Sequence, residues 1–288
     1  MRRFLLLLLL LLGGLPPATA LELFVSILPQ RSFAELVGGE TVKVHVLVGP
    51  GRNPATYEPT ARQMTSLARA DLYWRIGMPF ESRWLPRLRR LNPQLRILDA
   101  REGIPLLAAR PAHAGETGAD PHIWMDPGRV IRMVERLAEA LAALDPDHAG
   151  GYRRRSEQLV RRLHALDTRI RQRLACLEHR SFMVFHPAWS YFAAAYGLEQ
   201  LVIEHEGKRP GPRRLARLIA RARAEGVRLL LVQQQFSDAD ARAVAEGTGA
   251  AVVRLDPLDP DYFGMMDTLV ETLRKHLGCR NPSSISRI

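Results

Sequence analysis

Between Tyr152 and Leu177 apolar residues recur at Tyr152, Leu159, Leu163, Leu166, Ile170, Leu174 and Leu177, the three-and-four spacing of one helical face. No proline or glycine interrupts the stretch after Gly151. Asp145 followed by Pro146 reads as the start of this helix, with an N-cap and a proline at the first helical position. At 1.5 Å per residue the helix is expected to be about 45–50 Å long, enough to run the height of a two-domain protein. A chain built around such a rod must place its other elements on either side of it.

Those elements alternate. Before the rod, short β-like runs at Leu23 to Leu28, Val42 to Val48, Leu72 to Ile76 and Leu95 to Leu98 each end at turn residues and are separated by helical stretches. Asp126 and Pro127 open an amphipathic helix expected to run to about Leu144. After the rod the alternation restarts at Phe182 to Phe185, Leu201 to Ile203, Leu229 to Val232 and Ala251 to Leu255, and a helix from about Tyr262 to Leu277 closes it. The expected class is α/β: a lobe over residues 21–145, a long rigid linker helix over 146–179, and a second lobe over 180–288. A chain of 288 residues, 47% hydrophobic, is long enough for two ordinary cores. No sequence repeat relates the lobes.

The first twenty residues, MRRFLLLLLLLLGGLPPATA, join two arginines, a leucine run, helix-breaking Gly and Pro, and small residues at Ala18 and Ala20. They read as a cleavable secretory signal, residues 1–20, with an apolar run short of the roughly 20 residues that span a bilayer. No cysteine follows the run as a lipid acceptor, so a freely diffusing periplasmic protein is expected. Cys176 and Cys279 are the only cysteines, too few for a disulfide scaffold and without CxxC spacing. Whether they bridge or stay apart is open from the sequence.

The formal charge is +11, and removal of Arg2 and Arg3 with the signal leaves 39 basic residues against 30 acidic, or +9. The arginines are spread along helices, as at Arg153, Arg154, Arg155, Arg161 and Arg162, with no interleaved aromatic platform, so nucleic acid is not expected as a partner. A solvated basic face is the simpler account, and docking on an acidic membrane partner the other.

Chemistry concentrates at element ends. His122 lies in ADPHIWMDP just before a helix start, His186 in MVFHPAW where a strand runs into a proline turn, and Asp256 after the strand Ala251 to Leu255 and before Pro257. In open α/β sheets that edge is where ligands bind. Two imidazoles and a carboxylate suit Zn2+, Mn2+ or Fe2+. Each residue alone has an ordinary reading, as turn, strand end or cap; their shared placement in both lobes favours the ligand reading. In IEHEGK, Glu204, His205 or Glu206 could face the same cleft as a fourth ligand, Glu204 being the candidate, although alternation along a strand admits only one or two of them. No phosphate-loop pattern surrounds Lys208 and Arg209. Trp124 and Trp189 flank the histidines and either dry the site or belong to the core; Met265 and Met266 are expected in the core.

Several stretches, in order, are similar to the solute-binding proteins of zinc and manganese ABC importers, the cluster A-I family: TYEPTARQM with LARADLYWRIG, DPHIWMDP, FHPAWSYFAAAYGL, EGKRPGP, VQQQF, and LDPL followed by Tyr262 and Met265-Met266. The resemblance covers the chain from Leu23 to the last helix. It implies two α/β lobes joined by a rigid helix, a metal site in the inter-lobe cleft, a cognate ABC permease in the inner membrane, a monomer, and no enzymatic activity. Carried over by motif, the ligands are His122, His186 and Asp256. The family's usual first histidine, in a segment like GxxPHTYEP, falls here on Ala55 of GRNPATYEP, and its histidine-rich loop is reduced to His113.

Capture of Zn2+ for an importer is therefore the expected function, with Mn2+ or Fe2+ as near alternatives. Three ligands and an open position also describe a metal-dependent enzyme, although no HExxH helix is present. A module that has lost its metal and serves as an adhesin or sensor is a third reading, for which Ala55 is the argument.

Overall fold

The computed structural model describes residues 20–108, 118–204, 211–234 and 238–279. Residues 1–19 of the expected signal, and His113, His205, Glu206, Lys208 and Arg209, lie outside the described residues.

Two four-stranded sheets form. The first contains β1 (Leu21–Val25), β2 (Val42–Val46), β3 (Leu72–Arg75) and β4 (Arg96–Asp99) in the order β2-β1-β3-β4. The second contains β5 (Ser181–Val184), β6 (Glu199–Val202), β7 (Leu229–Val232) and β8 (Ala251–Arg254) in the order β6-β5-β7-β8. Every pairing is parallel. The lobes thus share one strand order although no sequence repeat betrays it. In each, the order reverses between the first and third strands, and the chain leaving those strands meets the crevice where such sheets bind ligands.

Helices α1 (Leu28–Gly38), α2 (Ala61–Leu67), α3 (Pro79–Leu91) and α4 (Pro127–Leu144) belong to the first half; α6 (Ser190–Tyr196), α7 (Pro212–Ala224), α8 (Asp238–Thr248) and α9 (Tyr262–Leu277) belong to the second. The rod is α5 (Ala149–Leu174). It starts later than the Asp145 and Pro146 pair suggests, because Pro146–His148 form a 3-10 turn. The Asp145 carboxylate accepts from Tyr152 Oη and engages His148 Nδ1, each at 2.7 Å, and caps no α-helical N–H. The rod also ends sooner: Leu177 leaves it to pair with Cys279. Its 26 residues span about 39 Å, shorter than the sequence suggests but still reaching both lobes.

Burial follows the period of each element. Along α5 the apolar stripe Tyr152, Leu159, Leu163, Leu166, Ile170 and Leu174 is buried. Along β5 and the residue after it, Phe182 and Val184 face the main core while Met183 and Phe185 face a second cluster under α7 and α8; Leu229 and Leu231 divide from Leu230 and Val232 in the same way along β7. This is the continuous apolar run of a strand covered on both faces. The main core is unbroken from β1 through α5 to α9.

Polar ties fix the rod at both ends. Arg155 donates to the carbonyls of Val37 and Gly38 at 2.7 Å each, satisfying the C-terminal end of α1. Arg169 pairs with Asp267 of α9 at 3.2 Å. The open question of the cysteines resolves as a bridge between Cys176 and Cys279, flanked by main-chain bonds from Glu178 to Gly278 (3.0 Å) and from His179 to Leu277 (3.1 Å). No described helix is long and apolar enough to cross a membrane.

Candidate metal site

His186 follows β5 by two residues. Because β5 and β6 are parallel with Val184 opposite Val202, the same offset sets His186 opposite Glu204. The pairing continues past the strands: Ile203 N–H donates to Val184 O (3.0 Å) and Glu204 N–H to Phe185 O (3.1 Å). Glu204, almost fully buried, engages Nδ1 of His186 through its Oε1. Glu204, the candidate fourth ligand, thus stands on the ring nitrogen of His186 opposite the one that meets His122. Gln233, after β7, donates to the His186 carbonyl at 3.3 Å.

His122 comes from the turn before α4. Asp120 accepts from the His122 main-chain N–H (2.9 Å) and its Oδ1 stands 2.7 Å from His122 Nδ1. Asp126, four residues on, accepts from Gly128 N–H at 2.8 Å, which makes it the N-cap read from the sequence. The segment is thus pinned by a carboxylate at each end.

The two imidazoles meet. His122 Nε2 and His186 Nε2 are 3.3 Å apart, with ring planes at 73°. Asp120 stands on Nδ1 of His122 and Glu204 on Nδ1 of His186, so each ring is oriented by a carboxylate and turns its Nε2 toward the other ring. Burial, reinforced by the neighbouring His122, holds the His186 pKa below the usual histidine value against the opposing bond to Glu204. Burial would raise Asp120, but His122 and the bonds from its ring, its main chain and Ser190 outweigh this and keep the carboxyl below the usual range.

Asp256 is in the adjoining turn after β8. Its Oδ1 accepts from Leu258 N–H at 2.9 Å, and the next carbonyl, that of Pro257, accepts from Trp124 Nε1 at 2.8 Å. The turn is therefore docked on the His122 segment, with the Trp124 ring 5.2 Å from that of His122. Among the described residues no three His, Cys, Asp or Glu side chains converge closely enough to hold an ion. The histidines are brought together, and Asp256 stands in a neighbouring turn. Trp124 and Trp189 are fully buried, so both readings of the tryptophans apply to Trp124, which is core and walls the site. Met265 and Met266 are in the core as expected. Ala55 sits exposed in the 3-10 turn Pro54–Thr56, its N–H taken by Asn53 Oδ1 at 2.9 Å.

Sequence reasoning passed over Asp120. The available signal was its place two residues before His122, where an Asp accepts the main-chain N–H and reaches the ring of the same residue.

Two parallel-sheet lobes on one long helix, with histidines meeting between them, define a metal-binding solute-binding protein of the kind that serves ABC importers. The family model described as "Zinc-uptake complex component A periplasmic" matches residues 23–276, and the chain belongs to that family. It is a family of importer binding proteins, not enzymes, which removes the enzymatic alternative. The chain is 36% identical to a ZnuA of known crystal structure, with a TM-score of 0.84 over 90% of this chain and 100% of that one. A second ZnuA structure, a deletion mutant with zinc bound, gives 35% identity and a TM-score of 0.84 over 91% and 100% of the two chains. The zinc-binding lipoprotein AdcA of Streptococcus pneumoniae is 27% identical over 91% of this chain, which spans 57% of AdcA's length. The iron-binding protein YfeA of Yersinia pestis is 27% identical over 86% of this chain and 83% of its own.

Proposed function

We propose that the chain, exported by a cleaved leader and working as a monomer in the periplasm, captures Zn2+ in the cleft between lobes 21–145 and 180–288 and hands it to an ABC permease. The observation that carries this reading is the 3.3 Å separation of the two Nε2 atoms. Two nitrogens bound to one tetrahedral zinc at about 2.0–2.1 Å stand about 3.3–3.4 Å apart. The spacing of the two nitrogens already matches that of two ligands on one ion.

Asp256 supplies the third donor by a side-chain rotation from its Asx turn, and water completes the set where Ala55 provides none. Asp120 and Glu204 orient the rings, raise their basicity and offset the cation's charge. The likeness to YfeA supports a second reading, a receptor of the same build for Fe2+ or Mn2+, whose preference for added oxygen ligands suits the missing imidazole.

Metal analysis of the purified exported chain, followed by competitive titration of the apo form with Zn2+, Mn2+ and Fe2+, tests this. One equivalent of Zn2+ is expected, with at least a hundredfold loss of affinity in His186→Ala. Equal affinity in wild type and variant overturns the site; tighter binding of Mn2+ or Fe2+ than of Zn2+ selects the second reading.

A further inference from the structure

Tyr191 is fully buried in α6, five residues after His186, yet its hydroxyl reaches across to the segment that carries His122. There Asp120 N–H donates to Leu107 O at 2.9 Å, beside a bridge between Ala108 and Ala119. In a regular antiparallel pair Leu107 N–H would return a bond to Asp120 O. The Tyr191 hydroxyl takes the place of that bond, accepting from Leu107 N–H at 3.0 Å and donating to Asp120 O at 2.8 Å. The ring is fixed as well: the Arg129 guanidinium lies over it, 4.7 Å from its centroid, and Arg129 is itself held by Asp126 and by Pro105 O at 3.3 Å.

We propose that Tyr191 is a positioning residue for metal capture, whose hydroxyl locks the Asp120–His122 turn to the helix that follows His186 and so sets the distance between the two Nε2 atoms. The inference rests on the proposed metal site. The path is short: Tyr191 Oη holds Asp120 O, Asp120 Oδ1 holds His122 Nδ1, and the turn Pro187–Trp189 joins His186 to α6. Removing the hydroxyl leaves the half-buried Leu107 N–H and the buried Asp120 C=O without their shared partner, and they relieve the cost by closing on each other. Closure shifts Asp120, and with it the ring it orients, relative to His186. A site needing two nitrogens within a few tenths of an ångström of fixed positions loses affinity as an outer-sphere mutation does, by about ten- to a hundredfold.

The test compares Tyr191→Phe with Tyr152→Phe. Tyr152 is also fully buried and its hydroxyl also makes two bonds, to Thr41 (2.9 Å) and Asp145 (2.7 Å), but at the start of α5 and away from the histidines. Both variants should melt a few degrees lower. Only Tyr191→Phe should weaken Zn2+ binding, by about tenfold or more, and alter the visible absorption of bound Co2+. Equal Zn2+ affinity and an unchanged Co2+ spectrum in folded Tyr191→Phe overturn the proposal, as does equal weakening in Tyr152→Phe. A measurement on the unmodified chain keeps it open to refutation if Tyr191→Phe fails to fold: the Leu107 amide should exchange more slowly once Zn2+ is bound, and an unchanged rate overturns it. Absence of Zn2+ binding by wild type would instead defeat the proposed function itself.

Discussion

Replacing both Cys176 and Cys279 by serine removes the one covalent tie between the end of α5 and the chain after α9. The closed loop is set by a sequence separation of 103 and contains every strand of the second sheet. Loop-closure entropy for that length gives about 4.7 kcal/mol at 25 °C, released to the unfolded chain when the bridge is lost. The native side loses little, because the main-chain bonds from Glu178 to Gly278 and from His179 to Leu277 do not depend on the sulfurs. At about 2–4 °C per kcal/mol for a domain of some 150–250 residues, the melting temperature should fall by roughly 10–19 °C. Guanidinium unfolding of wild type and the double variant, followed by far-ultraviolet circular dichroism, reads the difference directly as a shift in midpoint. A loss below roughly 2 kcal/mol with an unchanged slope would refute the entropic reasoning.

Two further outcomes concern the metal. Ala55→His restores an imidazole at an exposed turn in the position where the family carries one, and should tighten Zn2+ binding by about tenfold or more by replacing a water ligand; an unchanged Kd would show that this turn does not face the ion. Because His186 titrates below its ordinary value of 6.5, the folded apo chain holds fewer protons there than the unfolded chain. Its contribution to stability is therefore fully present above that pH and is lost as pH falls through the depressed pKa. Chemical denaturation of the apo form from pH 7.5 downward should show this loss, His186→Gln should remove it, and a slope that survives the substitution would assign it elsewhere.

Much of the architecture was legible in the chain because it rests on periods. The stripe from Tyr152 to Leu174, the capped start at Asp126, the strand Leu229–Val232 and the last helix all appear where spacing and punctuation place them. The errors fall at competing local interactions. The apolar run extends a strand to Leu28, which instead begins α1, and the Asp145–Pro146 pair suggests a cap whose carboxylate is occupied by Tyr152 and His148. At the site, the placement of His122 and His186 at element ends was readable, and so was the absence of a donor at Ala55. The carboxylates behind the rings were harder to read. Glu204 depends on the β5 to β6 register, which no linear pattern carries, and Asp120 is marked only by its spacing two residues before His122.

The unbroken core from β1 through α5 to α9 bears on what ion binding does to the whole molecule. Where two lobes have separate cores, a ligand stabilises its hinge and each half can still melt alone. Here the halves share buried side chains with the rod, so the free energy of ion capture is delivered to one cooperative unit. At free metal a hundred times Kd it adds about 2.7 kcal/mol to the unfolding free energy of the entire chain. Thermal stability thereby becomes a gauge of occupancy.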